Sequence, residues 1–399
     1  MTPRERMLAT LNHRMPDRVP IKLGWRPEVT EAMMQHYKVD NAQQVHKILD
    51  ADLSRQCNVA TKWPEWESRV NGELRGSFGN IGRTVLRDER TFEDPWGVVE
   101  RVGQDGKYLE WMDGPFAKTD DLDSFDWPTE ANIIAPPDLA ARVKKFKDEG
   151  YWVIGSSGVN PFKQAWRMRG LENFLCDYVA NPEWVEAIQE RFLKYNLLIL
   201  QHCAAAGVDM FEYWGDVAMQ HSMMVSPKSW RRLDKQFWKR LISGTREVNS
   251  DVRFFFHSDG NVTDIIDDLI EIGFDILDPM QPESVNPAVI KAKWGSRITL
   301  CGGGSVQRTL PFGTVEDVRR EVDFLMRYCA YDGGYIFRAS NAVSFDCPIA
   351  NVVAFYEMAR DYDLSKIKRP LEAIPESSPC MQVDTTVSSV ANSSFDVED

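Results

Sequence analysis

The chain of 399 residues lacks any long apolar run, and a membrane-spanning helix needs about 18 or more apolar residues in succession. The N-terminus, Met1 to His13, is charged and lacks the apolar core of a secretory signal peptide. Seven cysteines are present, but none has a C-x-x-C spacing and their number is odd. A disulfide framework is therefore not expected. Together these absences predict a cytoplasmic protein with no membrane partner.

Positive charge is also scarce, because 47 Lys and Arg residues face 60 Asp and Glu residues, which gives a formal net charge of -13. Nucleic acids are bound by basic surfaces, so no nucleic-acid partner is expected. The sequence contains no G-x-S-x-G elbow, no Walker loop, no H-E-x-x-H and no G-x-G-x-x-G after a predicted strand. These absences leave room for a local basic pocket that binds a small acidic substrate.

The most informative segment that is present is Phe254-Phe255-Phe256-His257-Ser258-Asp259-Gly260-Asn261. Its apolar run predicts a buried parallel strand, and its polar end would lie at the sheet edge where α/β proteins bind ligands. His257 and Asp259 are two residues apart, so both side chains point the same way if the strand continues. Such a pair can bind a divalent metal, zinc or another, or act as an acid and base. The alternative is a capped strand end.

A repeated order of helix, apolar strand and polar loop begins at Leu139. The predicted strands are Tyr151–Gly155, Val208–Tyr213, Val252–His257, Ile276–Asp278, Ile298–Gly302 and Tyr335–Arg338. With Val19–Gly24 and a strand near Asp50–Asn58 they make eight, which predicts an α/β fold of the (β/α)8 TIM-barrel type. A doubly wound sheet is the alternative.

The remaining regions add to this barrel, which is predicted as one domain over residues 1–370. A short helix over Pro3–His13 forms an N-terminal extension. Residues 65–117 alternate turn residues with short β-rich runs, which predicts a β-hairpin insertion. Residues 371–399 are rich in Ser, Thr, Val and acidic residues, which predicts a disordered tail.

Two more predicted strand ends carry candidate site residues. Glu212 and Asp216 flank a glycine turn, where they can orient a substrate or help to bind a metal; a surface loop or a helix cap is the alternative. Gly303 lies in a run of three glycines whose backbone N–H groups can converge on an anion, although glycine also forms tight turns.

Two arginines follow the first and the last predicted strands. Arg26, beside Trp25, and Arg338, shortly before Asn341, would meet where the barrel closes. An arginine there suits a carboxylate substrate through paired hydrogen bonds. A structural ion pair is the alternative for each of them.

Taken as an ordered set, several motifs resemble the uroporphyrinogen decarboxylase superfamily, in its decarboxylase-like branch related to corrinoid methyltransferases. These motifs are Pro3-Arg4-Glu5-Arg6, Pro16-Asp17-Arg18-Val19-Pro20, Asp94-Pro95-Trp96-Gly97, His257-Ser258-Asp259-Gly260-Asn261, Gly273-Phe274-Asp275-Ile276-Leu277-Asp278-Pro279-Met280-Gln281-Pro282, Leu310-Pro311-Phe312-Gly313-Thr314 and Gly333-Gly334-Tyr335-Ile336. The resemblance implies a (β/α)8 barrel, usually a homodimer, with a deep cleft at its C-terminal face.

The resemblance also implies one of two chemistries: cofactor-free decarboxylation of a tetrapyrrole, or zinc-dependent methyl transfer to or from a corrinoid. His257 matches the first zinc ligand of the methyltransferases, whereas Asp259 and Asn341 stand where that branch has cysteines. Asn341 also occupies the position of the late histidine of the decarboxylases. The decarboxylases have an arginine-containing signature after the first strand, and only Arg26 of it remains here. The resemblance places the aspartate that holds the pyrrole nitrogens near Asn58, where this chain has no carboxylate.

The sequence thus predicts a decarboxylase-type lyase that acts on a small acidic substrate, aromatic or heteroaromatic, other than uroporphyrinogen. Arg26 or Arg338 would anchor its carboxylate, with Trp25, Glu212, Asp216 and Gly303 as further substrate contacts. His257 or Asp259, with Asn341 as a further catalytic candidate, would deliver the proton that replaces carbon dioxide. A metal-dependent methyltransferase or demethylase that works with a corrinoid protein is the first alternative. A non-catalytic ligand-binding barrel is the second.

Overall fold

The computed structural model describes residues 1–76, 79–104, 106 and 108–386. The chain forms two compact units. The first combines Met1–Leu11 with Leu53–Asp278, and the second combines Asn12–Asp52 with the chain from Pro279 onward. No helix in the described ranges has both the length and the apolar character needed to cross a membrane.

Helices and parallel strands alternate through most of the chain. The helices are α1 (Pro3–Leu11), α2 (Pro27–Tyr37), α3 (Ala42–Ile48), α4 (Pro64–Arg69), α5 (Leu139–Asp148), α6 (Pro161–Arg169), α7 (Leu171–Ala180), α8 (Pro182–Ala205), α9 (Pro227–Arg232), α10 (Asp234–Arg246), α11 (Ile266–Ile272), α12 (Pro287–Trp294), α13 (Thr309–Phe312), α14 (Val315–Cys329) and α15 (Ile349–Arg360). The strands are β1 (Ser54–Cys57), β2 (Ala60–Thr61), β3 (Gly72–Gly76), β4 (Gly79–Leu86), β5 (Thr91–Glu93), β6 (Val99–Val102), β7 (Leu109–Asp113), β8 (Ile133–Ile134), β9 (Trp152–Gly155), β10 (Met210–Trp214), β11 (Arg253–His257), β12 (Ile276–Asp278), β13 (Thr299–Gly304) and β14 (Tyr335–Ala339).

The first unit is built on five parallel strands in the order β1-β9-β10-β11-β12. Strands β9 and β11 are short and strongly apolar; every residue of β9 is buried, and in β11 only Arg253 is not. The edge strand β1 is polar, and only its Cys57 is buried. Strands covered by helices on both faces need such continuous apolar runs. The helix-and-strand alternation predicted from Leu139 onward is confirmed here, and the bounds of its strands shift by up to two residues.

The predicted insertion is a larger structure than a hairpin. Helix α4 is followed by a five-stranded antiparallel sheet in the order β3-β4-β5-β6-β7. Arg167 on α6 holds this sheet, since its Nη2 lies 2.9 Å from Asp94 Oδ2 and 2.8 Å from Glu100 Oε2. Burial is the main factor that raises the pKa of Asp94, and Arg167 opposes that rise.

The second unit contains the parallel pair β13 and β14. The regular strand predicted over Val19–Gly24 is not formed; Ile21 makes one isolated bridge to Phe337 and Trp25 another to Val343. Pro20 has no N–H to contribute to a ladder, which limits regular pairing at this point. The described residues therefore supply seven strands with parallel neighbours, and the closed eight-stranded barrel is not confirmed.

The described part of the predicted tail, residues 371–386, contacts the rest of the second unit. Arg308 donates from Nε to the carbonyl of Cys380 at 3.0 Å and from Nη2 to that of Val383 at 2.8 Å. Asn286 donates to the carbonyl of Pro375 at 2.7 Å. The disorder predicted for residues 371–399 therefore remains a prediction only for residues 387–399, which lie outside the described part of the chain.

The cysteines form no disulfide, and six of the seven are buried. Burial raises the pKa of Cys203 to about 11 and that of Cys329 to about 12. Cys176 on α7 is the exposed one.

Asp209, which immediately precedes β10, ties the N-terminal helix to the sheet. Its carboxylate accepts the backbone N–H of Val153 at 2.9 Å and lies 3.0 Å from Arg4 Nη2 and 2.9 Å from Lys147 Nζ. Only 5% of the Asp209 side chain is exposed. A buried carboxylate of this kind stabilises the fold as long as its partners remain.

We expect Asp209→Ala to lower the free energy of unfolding by about 2–3 kcal/mol, because two cations and one buried N–H group lose their partner. Urea denaturation followed by circular dichroism measures this change. Asp148→Ala is the matched control, since Asp148 forms an exposed i,i+4 pair with Lys144 and should change the same free energy by no more than about 0.5 kcal/mol. Equal effects of the two variants would contradict the structural role of Asp209.

Candidate functional site

The site begins where three neighbouring strands of the first unit end. Trp214 of β10 pairs in register with His257 of β11, and His257 pairs with Asp278 of β12. Residues in register on adjacent parallel strands point to the same face of a sheet. Accordingly, the Trp214 and His257 rings lie with their centroids 4.5 Å apart. The C-terminal edge predicted from the apolar run before His257 is therefore formed as expected.

His257 is oriented by a buried carboxylate. Its Nδ1 lies 2.5 Å from Asp278 Oδ1, and the Asp278 side chain is fully buried. A carboxylate beside Nδ1 favours the tautomer that carries its hydrogen on that nitrogen, which leaves Nε2 with a lone pair. Nε2 is therefore the ring atom that can bind a metal or exchange a proton.

Two further carboxylates face this nitrogen. Nε2 of His257 lies 3.8 Å from Asp216 Oδ1 and 4.0 Å from Asp259 Oδ1. The backbone N–H of Asp259 donates to Asp216 Oδ1 at 2.8 Å, which fixes the two loops relative to each other. Both acidic side chains are partly exposed, at 45% and 30%. The pairing predicted for His257 and Asp259 is thus present, and Asp216 joins it.

These three residues have the donor set of a divalent-cation site. One nitrogen of His257 and one oxygen each of Asp216 and Asp259 lie within 4.8 Å of one another. Imidazole nitrogen and carboxylate oxygen bind such ions at about 2.0–2.2 Å, so modest side-chain rotations are enough to reach a common ion. The hydrogen bond between a metal-binding histidine and a carboxylate such as Asp278 is typical of these sites. The cluster therefore fits a metal.

A cavity of about 540 Å³ in the same unit adjoins the cluster, at the ends of β1, β9 and β10. Trp214 belongs to its wall and also contacts His257. Glu212 lines the cavity as well, and its Oε2 accepts a hydrogen bond from Trp214 Nε1 at 3.2 Å. Glu212 is therefore placed by the structure at the cavity, whereas Asp216 is placed at the histidine. A volume of this size suits a small-molecule ligand.

Arg338 and Trp25, two of the other candidates, lie in the second unit. Arg338 in β14 is 4% exposed and packs against Gly24, where an added Cβ would lie 3.1 Å from Nε. The indole Nε1 of Trp25 donates to Thr30 Oγ1 at 2.9 Å, and its ring packs edge-on against Tyr356. The substrate roles of Arg338 and Trp25 stay predictions.

Arg26 and Asn341 belong to the same unit. Arg26 immediately precedes α2, and its backbone N–H donates to the carbonyl of Val343 at 2.9 Å. Asn341 Oδ1 accepts the N–H of Ala342 at 2.6 Å, a local turn contact. Substrate anchoring by Arg26 and catalysis by Asn341 also remain predictions.

Gly303 has a backbone role that accounts for the glycine. Its φ is +97°, and an added Cβ would lie 2.8 Å from Leu325. Its N–H donates to the carbonyl of Pro279 at 2.8 Å. This N–H is thus engaged with the backbone, and Gly303 lies inside β13, where it pairs with Arg338. Substrate contact by Gly303 stays a prediction.

Asp278 is the site residue that the sequence analysis missed. Asp278 ends a predicted strand, and the sequence pattern assigns it no role. The available signal was a carboxylate that ends an apolar run directly before Pro279, because burial of an acid there requires a partner. Trp63 and Tyr195 of the cavity wall were missed too; nothing local in the sequence marks them, since they reach the cavity only through the fold.

Comparison with known protein families establishes the family to which this chain belongs. Residues 112–362 match the family described as uroporphyrinogen decarboxylase (URO-D). The chain belongs to the uroporphyrinogen decarboxylase family. The matched region contains His257, Asp259, Asp216 and Asp278, so the whole cluster lies within the URO-D segment. The resemblance drawn from the ordered motifs is confirmed.

One solved structure supports the fold. The URO-D chain is similar to a methyltransferase from Methanosarcina mazei, with 19% sequence identity and a TM-score of 0.57 over 90% of this chain and 98% of the other. A structure of L-ribulose 3-epimerase aligns with a TM-score of 0.34 and 12% identity, over 60% of this chain and 76% of that one. No curated protein matches the chain.

If the cluster is a metal site, the full-length protein should bind about one divalent ion per chain, and His257→Ala should lose it. Elemental mass spectrometry after dialysis against Mn²⁺ or Zn²⁺ measures the content. His202→Ala is the control, because His202 lies on α8 outside the cluster. Retention of the metal by His257→Ala would exclude His257 as a ligand.

Asp278→Asn should weaken metal binding by about 10- to 100-fold, as loss of a carboxylate behind a metal-binding histidine does. The new amide can donate to Nδ1 and favour the tautomer with hydrogen on Nε2, which cannot bind a metal. Titration with Mn²⁺ followed by electron paramagnetic resonance gives the dissociation constant. Asp251→Asn, an exposed change just before β11, should leave that constant unaltered, and an equal effect would argue against the role of Asp278.

Proposed function

We propose that this URO-D family member is an enzyme that binds a divalent cation through His257, Asp216 and Asp259 and decarboxylates a small carboxylic acid held in the adjacent cavity. The observation that carries the proposal is the orientation of His257. Asp278 holds Nδ1 at 2.5 Å, and Nε2 faces two carboxylates at 3.8 and 4.0 Å. A histidine held in this way is prepared to act as a ligand.

The donor set supports a substrate that binds through oxygen. One imidazole and two carboxylates form a harder ligand set than the thiolates that select zinc for sulfur chemistry. A bound divalent ion would polarise a substrate carbonyl or carboxylate and offset the negative charge that develops as carbon dioxide leaves. The carboxylate of a small acid is therefore the group that we assign to this end of the site.

The protein's own residues have distinct tasks in this proposal. Asp278 fixes the ring of His257, and Glu212 and Trp214 shape the wall of the cavity beside it. When Nε2 serves as a ligand it cannot also deliver a proton. The proton that replaces carbon dioxide then comes from solvent, which reaches the partly exposed carboxylates of Asp216 and Asp259. Proton delivery by His257 or Asp259 would apply only to a metal-free enzyme.

Methyl transfer is the second candidate. The observation that favours it is the structural similarity to a methyltransferase over nearly the full length of both chains. The same three residues would hold a zinc ion, and a corrinoid protein would be the partner. Decarboxylation remains our first proposal because the cluster of His257, Asp216 and Asp259 contains no cysteine.

A panel of small carboxylic acids tests the proposed function. Protein stripped of metal and reloaded with Mn²⁺ or Zn²⁺ should release carbon dioxide from at least one acid. His257→Ala should lower kcat/KM by about 100-fold or more, because loss of a residue that only supports a metal ligand already costs about 10- to 100-fold. His202→Ala should match the wild type.

The alternatives have different signatures in the same experiment. Full turnover by metal-free protein would refute the metal-dependent mechanism. Corrinoid-dependent methyl transfer without release of carbon dioxide would establish the second candidate. Ligand binding without turnover of any acid would favour the non-catalytic barrel.

A further inference from the structure

The cavity beside the metal cluster has an unusual wall. Four aromatic side chains line it, and so do two carboxylates, those of Glu67 and Glu212; the aromatic ones are Trp63, Trp66, Tyr195 and Trp214. Within the described part of the chain, no lysine, arginine or histidine lines this cavity. A wall of this composition is attractive to a positive charge and repels a free anion.

The polar groups of these aromatic residues are mostly engaged by the protein itself. Trp66 Nε1 donates to the carbonyl of Glu93 at 3.0 Å, and Trp214 Nε1 donates to Glu212 at 3.2 Å. The hydroxyl of Tyr195 is 2.9 Å from Thr61 Oγ1. What these residues offer a ligand is therefore ring surface instead of hydrogen-bond donors. Ring surface beside carboxylates is the combination that binds organic cations.

The two ends of the site then call for opposite charges. At the cluster, a divalent ion would offset the carboxylates of Asp216 and Asp259 and accept a substrate carboxylate. Beyond Trp214, the cavity presents Glu67, Glu212 and aromatic rings. A substrate whose only charged group is a carboxylate could bind the metal at the cluster, but the rest of the molecule would then face the carboxylates of the cavity wall without a positive charge to offset them.

We infer that the substrate is a zwitterion, with a carboxylate at the metal cluster and an alkylated, positively charged nitrogen in the aromatic cavity. This inference rests on the proposed function for its carboxylate end only. The cation end depends on the cavity wall, in which Glu67 and Glu212 supply the charge and Trp63 and Trp214 the ring surface. The inference restricts the proposed small carboxylic acid to one chemical class, acids that also carry an alkylated, positively charged nitrogen.

Two probes of equal shape test the charge requirement. Glycine betaine carries a quaternary nitrogen, whereas 3,3-dimethylbutanoate has carbon at the same position and is otherwise alike. By isothermal titration calorimetry, the Mn²⁺-loaded full chain should bind betaine about tenfold more tightly, which is the scale of a cation over aromatic rings in a partly desolvated site. Equal affinity, or tighter binding of 3,3-dimethylbutanoate, would overturn the inference.

Matched variants locate the effect. Glu67→Gln and Glu212→Gln should each reduce the preference for betaine several-fold with little change in affinity for the isostere. Glu65→Gln is the control, because Glu65 is on the same helix as Glu67 but does not line this cavity. A preference that survives in the double variant Glu67→Gln/Glu212→Gln would also overturn the assignment.

A further pair of measurements separates this inference from the proposed function. Mn²⁺ binding is followed by electron paramagnetic resonance, and tetramethylammonium binding is measured without metal. Binding of Mn²⁺ without binding of either betaine or tetramethylammonium would refute the cation site and leave the proposed function standing. Binding of tetramethylammonium without binding of Mn²⁺ would support the cation site and refute the metal centre. Failure of both would refute both.

Discussion

The hydrogen bond between His257 and Asp278 is the interaction on which the rest of the site depends. It joins the ends of two adjacent strands in a region closed to solvent, so the carboxylate has no competing partner in water. Because it fixes which ring nitrogen carries the hydrogen, it decides whether Nε2 can act as a ligand. The register of β10, β11 and β12 is what brings it about, and a slip of one residue would turn His257 to the opposite face.

The charges around this bond are those that a bound cation would offset. Asp216 and Asp259 lie close enough to Nε2 to bind the same ion, and Glu212 adds a carboxylate in the neighbouring cavity. Like charges at such distances repel one another when no cation intervenes. Asn58 also lines this cavity, with an uncharged amide.

Much of the fold and part of the site could be predicted from the sequence, for identifiable reasons. Apolar runs such as Phe254-Phe255-Phe256 report burial directly, so the strands from Tyr151 onward were placed correctly and His257 was found at a strand end. The prediction of a regular strand over Val19–Gly24 was wrong, because a sequence pattern does not show whether a neighbouring strand pairs along the whole segment. Pro20 interrupts that pairing. Asp278 was missed because its role depends on strand register, which is not written locally. The cavity wall draws on residues from distant segments, so only the fold could reveal it.

The burial of six cysteines has a practical consequence for studying this protein. Cys176 on α7 is the one exposed thiol, and it is not among the residues of the cluster of His257, Asp216 and Asp259. A maleimide dye would therefore attach to the native protein at a single position. The remaining thiols, including Cys203 and Cys329 with their raised pKa values, would react only as the structure opens. The rate at which they become labelled would report local opening of each compact unit without any engineered probe.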